Sequence, residues 1–283
     1  MIFSNLRIIV YFINLRLYYI TLLMRRKNHT YIIILVLLSI NIQYVFGQQM
    51  PQPIAHALGG IDGNIYTNSR EAMINSIEKG YKYLEVDIYS TSDGIFIASH
   101  DWELFNEITG HSELKDSIAS YEDFKQRKIY NTYTPITIQE VVDTLMNHPD
   151  ISVMTDKISD PDIIDELFGK IKERVYVECF SEEDYFELKK RGYHVMFSTY
   201  TSIATLHYII KSMMIGNGRI DFVTTSTDQD FKELRRLKCV MPLHVSMFSI
   251  NTEEELEKHM DDIDFFYSDF YDPSAGTFNN PKE

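Results

Sequence analysis

Cysteine is nearly missing from this 283-residue chain: only Cys179 and Cys239 occur. Two cysteines cannot build a disulfide framework, and by themselves they cannot hold a structural zinc ion. They fall in different expected elements, so both are read as free thiols. Basic residues are also scarce, 27 Lys and Arg against 41 Asp and Glu, for a formal charge of −14. Nucleic acid is therefore excluded as an expected partner, because phosphate backbones are bound by clustered cations. A glycine-rich phosphate loop is lacking after the first strand candidate, since Gly59-Gly60 is not a G-x-G-x-x-G, and this counts against a doubly wound open sheet. Apolar residues, in contrast, make up 45% of the chain and aromatics 13%. That is ample core material for one large domain and the wrong composition for intrinsic disorder.

The charge is unevenly spread. Residues 1–47 hold five basic residues (Arg7, Arg16, Arg25, Arg26, Lys27) and no acidic one, which leaves 22 basic and 41 acidic over 48–283, a net of −19. Met24-Arg25-Arg26-Lys27, the apolar run Tyr31–Phe46 and small Gly47 follow the order of a signal peptide, with Val45 and Gly47 at the positions a signal peptidase reads. Ser39, Asn41 and Gln43 interrupt the run and argue against a full membrane span. The upstream stretch Ile8–Leu23 is broken by Asn14 and Arg16, and Met24 is the better natural start. The expectation is a leader over 1–47, starting at 24, and a mature domain over 48–283. The protein is then expected to be exported (periplasmic, secreted or at the cell surface), with a position near a membrane left open and anchoring to it if the leader stays uncleaved.

From residue 53 onward, short apolar runs alternate with helical patterns. Strands are expected at Ile54–Ala57, Tyr83–Ile88, Ile95–Ser99, Ile151–Thr155, Val175–Cys179, His194–Ser198, Ile220–Thr224 and Leu243–Phe248, with a further short run at Phe265–Tyr267. Asn68 with Glu71 and Thr137 with Glu140 have the spacing of helix capping boxes. Asp160-Pro161 and Ser181 mark two further helix starts, and Gly192 a helix stop. Strand–helix alternation over this length predicts an α/β fold, a (β/α)₈ TIM-type barrel behind the N-terminal signal or anchor segment. Residues 101–134 read as a long irregular insertion over one face. One link is short: only Tyr89–Gly94 separate the second and third strand candidates. These strands are either joined by an extended return or antiparallel.

The densest polar cluster lies inside a strand. Residues two apart on a strand share a face, so Glu85 and Asp87 project together while Leu84, Val86 and Ile88 face the other way. Two parallel carboxylates repel unless protons or a cation sit between them, and a hard divalent cation with oxygen ligands is the economical solution. His56 and His100 each end a strand candidate, at the barrel end where active sites form, and suit acid–base work near neutral pH. Asp101 offers His100 a neighbouring carboxylate. Asp156 ends the fourth strand candidate as a third carboxylate, followed by Lys157, and Glu178 is placed to point inward. His111, His148 and His259 read as surface or loop residues.

Taken in order, Ile54-Ala55-His56, Asn68-Ser69, Glu85-x-Asp87, Thr91-Ser92-Asp93-Gly94 and Ser99-His100-Asp101 resemble the glycerophosphodiester phosphodiesterase family, within the broader phospholipase C-like barrel enzymes. Ile108-Thr109-Gly110, Pro135-Ile136-Thr137-Ile138-Gln139-Glu140 and Ser268-Asp269-Phe270 resemble it downstream. The resemblance implies a TIM-type barrel and one divalent cation, Ca²⁺ or Mg²⁺, held by Glu85, Asp87 and Asp156, the last where the family usually has Glu. It implies His56 and His100 as the acid–base pair; Lys157 and Glu178, from their own positions, are candidate substrate contacts. The expected activity is hydrolysis of a small-molecule or lipid-derived phosphodiester: a glycerophosphodiester, a lipid head group or an envelope polymer. Three positions depart from the family: Ala57 replaces its Arg, Thr67 its Glu, and Ile158 its Lys, with Lys157 one step early. A basic phosphate contact is thus missing or moved. Two other readings compete. A non-catalytic surface binding protein on the same barrel would explain the missing Arg but not the histidine pair. A glycoside hydrolase would need two carboxylates flanking a sugar, for which neighbours on one strand are poorly placed.

Overall fold

A computed structural model describes residues 50–198, 222–227, 234–235, 238 and 243–279. The expected leader and Cys239 lie outside these residues. Nine strands make the main sheet: β1 (Gln52–Ala55), β2 (Tyr83–Ser90), β3 (Phe96–Ala98), β4 (Ser152–Asp156), β5 (Val175–Cys179), β6 (His194–Ser198), β7 (Phe222–Ser226), β8 (His244–Phe248) and β9 (Phe265–Ser268). Eight of them pair in parallel in the order β1-β9-β8-β7-β6-β5-β4-β2, and β1 pairs again with β2, which closes the barrel.

The period-2 alternation of the strands sorts side chains between two cores. Leu84, Val86, Val153, Val177, Val195, Val223, Val245 and Phe266 point outward and are fully buried in the main core of the barrel unit. Ile54, Met154, Met196, Phe222, Phe265 and Tyr267 fill the barrel interior. The β-branched outward residues suit a sheet covered by helices.

The helices are α1 (Arg70–Glu78), α2 (Trp102–Ile108), α3 (Tyr121–Gln126), α4 (Ile138–Met146), α5 (Pro161–Phe168), α6 (Glu182–Arg191) and α7 (Glu253–His259). Thr137 and Glu140 form the expected capping box of α4. Asp160 and Ser181 cap α5 and α6, and Gly192, at φ 89°, ends α6 in the left-handed region. Each side-chain cap satisfies an orphan N–H and contributes about 1 kcal/mol.

Five expectations are corrected. The eighth barrel strand is β9, the run noted only as a short extra. The third strand candidate, β3, stands outside the barrel: it pairs with β2 antiparallel, Ile88 opposite Ala98 and Ser90 opposite Phe96. The reason is length, since β2 runs on beyond the barrel rim and a four-residue turn at Thr91–Gly94 returns the chain alongside it. Residues 101–134 are not irregular. They carry α2 and α3, and Trp102, Phe105, Phe124 and Ile129 give them a small core of their own. Finally, α1 is capped by Ser69 and not by Asn68, because Asn68 bonds elsewhere and Glu71 accepts from Thr134. His259 is buried at the end of α7, where a surface residue was expected. Cys179 is a free, buried thiol as expected. No described helix is long and apolar enough to cross a membrane.

Candidate active site

A cleft of about 380 Å³ opens at the C-terminal end of the barrel strands and is lined by every expected site residue: His56, Glu85, Asp87, His100, Asp156, Lys157 and Glu178. Register explains the carboxylates. Glu85 and Asp87 share the inner face of β2, and Asp87 lies directly opposite Asp156 on β4. One carboxylate oxygen from each of Glu85, Asp87 and Asp156 lies within 4.8 Å of the others, a group that could hold a metal ion. Glu85 and Asp87 are 3% and 2% exposed. Burial pushes the Glu85 carboxyl well above its usual range, reinforced by the charges of Asp87 and Asp156. Asp87 is raised in the same way by burial and by Asp156, with Asn68 pulling it down. Such crowding is unfavourable for bare carboxylates and suits a hard cation with oxygen ligands.

The loop between β1 and α1 holds the carboxylates from one side. Ala57 N–H donates to Glu85 Oε2 at 2.6 Å, and Asn68 Nδ2 donates to Asp87 Oδ2 at 2.8 Å. Ala57 and Asn68 both take left-handed backbone, φ 48° and 44°, which orders these donors at a local cost. Gly59 and Gly60 are required by close approach. A Cβ at 59 would lie 2.1 Å from Ser76 Oγ, and one at 60 would lie 2.3 Å from the carbonyl oxygen of Asp269. Gly59 thus lets the loop press against α1, and Gly60 lets it press against the end of β9.

Each histidine has its own carboxylate. His56 Nδ1 lies 3.1 Å from Asp269 Oδ1, across 213 positions of sequence. Asn251 fixes Asp269 in turn, donating from Nδ2 to its Oδ2 at 2.8 Å and accepting its backbone N–H at 2.8 Å. Burial alone would lower the His56 pKa, but the Asp269 hydrogen bond and charge, with Asp87 and Asp156, leave it raised. His100 Nδ1 lies 2.6 Å from Asp101 Oδ2. His100 does not end a barrel strand; it follows the antiparallel return of β3, secured where Ser99 N–H donates to the Asp87 carbonyl.

The displaced lysine still reaches the cleft. Lys157 takes left-handed backbone at φ 75°, and its Nζ lies 3.0 Å from Asp156 Oδ2 and 3.8 Å from Asp87 Oδ1. Ile158 packs instead against the outer core. Deeper in the barrel, burial and the Asp156 charge push Glu178 up to about 8. Asp269, Asn251 and Tyr66 were not singled out from sequence as site residues. Ser268-Asp269-Phe270 stood out as a motif, but nothing local ties it to His56.

Comparisons with known proteins match the chain to one family and its barrel to several solved structures. Residues 60–239 match the profile of the Glycerophosphoryl diester phosphodiesterase family. A glycerophosphodiester phosphodiesterase of Arabidopsis thaliana is 32% identical over 74 residues, 25% of this chain but only 19% of that relative. Among solved structures, a glycerophosphodiester phosphodiesterase from Thermotoga maritima superposes with a TM-score of 0.61 at 18% identity, covering 81% of this chain and 98% of its own. One from Parabacteroides distasonis gives 0.59 at 15% identity, covering 79% and 94%. An Oleispira antarctica phosphodiesterase in complex with sn-glycerol-3-phosphate gives 0.58 at 17% identity, covering 78% and 93%.

Proposed function

The chain belongs to the glycerophosphoryl diester phosphodiesterase family, and on that premise we propose that it hydrolyses a phosphodiester outside the cytoplasm, with one bound divalent cation. The observation that carries this reading is the convergence on one cleft of three carboxylates and two histidines, each histidine with a carboxylate at Nδ1. Glu85, Asp87 and Asp156 would hold the cation, and their all-oxygen donor set fits Ca²⁺ or Mg²⁺. When bound, the ion supplies Lewis-acid polarisation of the phosphoryl oxygens.

The rest of the chemistry falls to the chain. A carboxylate at Nδ1 leaves Nε2 of each imidazole for the substrate. Asp269 favours the charged form of His56, which suits it to protonate the leaving alcohol. His100 then takes the proton of the attacking hydroxyl, either water or the substrate's own neighbouring hydroxyl. Lys157 is a cation within reach of a phosphate bound beside Asp156. Glu178, protonated near neutral pH, is a donor at the cleft wall. A cleft of this size suits a head group such as a glycerophosphodiester or a short piece of an envelope polymer.

The test is a panel of glycerophosphodiesters, lipid head-group diesters and envelope phosphodiesters, each assayed with the cation and with chelator. Turnover that chelator abolishes and the cation restores is expected. No turnover of any diester would leave the non-catalytic binding reading. Export is proposed from the leader, and N-terminal sequencing of protein recovered outside the cytoplasm should find a chain beginning near Gln48. An intact leader on all of it would mean an anchor.

A further inference from the structure

The family's departures at 57 and 67 flank a residue that the proposed chemistry has not used. Ala57 is fully buried and serves the site only through its backbone. Thr67 is buried, its hydroxyl 3.1 Å from Ser69 Oγ. Neither offers a substrate a free donor. The cation at the mouth, Lys157, is engaged by Asp156 and Asp87. A phosphate entering this cleft would therefore meet few unengaged donors.

Tyr66 lines the same cleft. Its backbone is left-handed at φ 55°, an uncommon conformation for a bulky aromatic residue that persists only where its surroundings impose it. The ring stands edge-on to both imidazoles, its centre 4.6 Å from that of His56 and 5.3 Å from that of His100. The hydroxyl has no hydrogen-bond partner among the described residues, although carboxylates surround the cleft. Burial, then the charges of Asp269, Asp87 and Glu85, push its pKa up to about 12, so it stays a neutral O–H.

From this geometry we infer that Tyr66 is a substrate-binding residue, its hydroxyl donating a hydrogen bond to a non-bridging phosphoryl oxygen between the two histidines. The inference rests on the phosphodiesterase reading for the identity of the substrate, and it assigns the phosphate contact that Ala57 leaves open. Tyr66→Phe isolates it, removing the hydroxyl while keeping the ring against both imidazoles.

The experiment titrates inorganic phosphate into the full chain supplied with Mg²⁺, followed by ³¹P resonance, and runs the diester panel beside it. Tyr66→Phe should weaken phosphate binding by roughly 10- to 100-fold, the range for a hydrogen bond to a charged group. KM for diesters should rise in step, with the melting temperature unchanged. Phosphate affinity within twofold of the parent overturns the inference, and so does a parent that binds no phosphate. If Tyr66→Phe melts several degrees lower, Tyr66→Gln and Tyr66→Leu replace it: the donor-bearing Gln variant must bind phosphate more tightly, and equal affinities overturn the inference. The two readings fail separately. Diester turnover with an unaffected Phe variant removes Tyr66 alone, whereas hydroxyl-dependent phosphate binding without turnover removes the reaction and leaves the contact.

Discussion

At the N-terminal end of the barrel, β2, β5, β7 and β9 contribute Tyr83, Tyr176, Phe222 and Phe265 to the interior. Two to four residues further along, β2 and β5 place Glu85, Asp87 and Glu178 inward instead. The aromatic floor closes on itself: Phe222 meets Phe265 at 4.8 Å and Tyr176 at 5.1 Å between ring centres, and Tyr83 meets Phe265 at 5.1 Å, all edge-on. Such pairs add roughly 0.5–1.5 kcal/mol each beyond burial and need no ligand. The mouth is the reverse. Its carboxylates are buried against their preference, and Ala57, Leu58, Asp62, Tyr66, Asn68 and Lys157 all hold positive φ in the loops that rim it. One set of strands thus carries a self-sufficient apolar end and an end crowded with buried carboxylates, the division expected of the two faces of such a barrel.

The largest expected effect lies at the mouth and should leave the floor untouched. His56→Ala and His100→Ala should each lower turnover by roughly 10²–10⁴, with circular dichroism and melting temperature unchanged. Activity that merely tracks the folded fraction would make both histidines structural. Asp269→Asn sharpens the assignment. Losing the partner that raises the His56 pKa should move the alkaline limb of the pH–rate profile to lower pH.

Next in size, Asp87→Asn should weaken divalent binding by more than the roughly 10- to 100-fold typical of losing an outer-sphere partner. Calorimetric titration decides it, and unchanged affinity in both Asp87→Asn and Glu85→Gln would remove the metal site. Phe265→Ala tests the floor. A loss of about 3 kcal/mol should lower the melting temperature by roughly 6–12 °C, with cation affinity unaltered. Equal damage to cation affinity would show that the two ends are not independent.

The smallest effect is a pH slope. Glu178 titrates near 8 in the folded chain against an ordinary 4.5, so the folded state keeps a proton that the unfolded state has shed. Stability of the cation-free protein should therefore fall as pH rises from about 4.5 through about 8. Glu85 and Asp87 act in the same direction. Glu178→Gln should flatten part of that slope in melts taken across the window, and a slope identical to the parent's would exclude Glu178 as its source.

Glu85 and Asp87 were legible in the sequence because strand alternation is local: two carboxylates at i and i+2 among three aliphatics must share a face. His56 and Asp156 were legible as polar residues closing apolar runs. His100 lines the cleft by a route the sequence did not reveal, since its strand returns antiparallel outside the barrel. Tyr66 gave no signal, because a tyrosine in a polar loop reveals neither its left-handed backbone nor its position between two imidazoles. Asn68 carried a misleading one: its spacing to Glu71 mimics a capping box, while Ser69 makes the cap and Asn68 serves Asp87.

By itself the sequence determined the α/β alternation, the inward and outward faces of the strands, most helix caps, and the residue types able to do acid–base and cation chemistry. These follow from interactions spanning one to four residues, which any stretch of chain reports about itself. Tertiary structure decided which of nine strands close the barrel, and it brought Asp269 to His56 across 213 positions. It also turned Lys157 into the cleft in place of Ile158. Those outcomes depend on closure of the sheet, which fixes the neighbours of β1 on both sides and sets distant side chains at one rim. No local pattern encodes that contact, because its partners share nothing but the end of the barrel on which they finish.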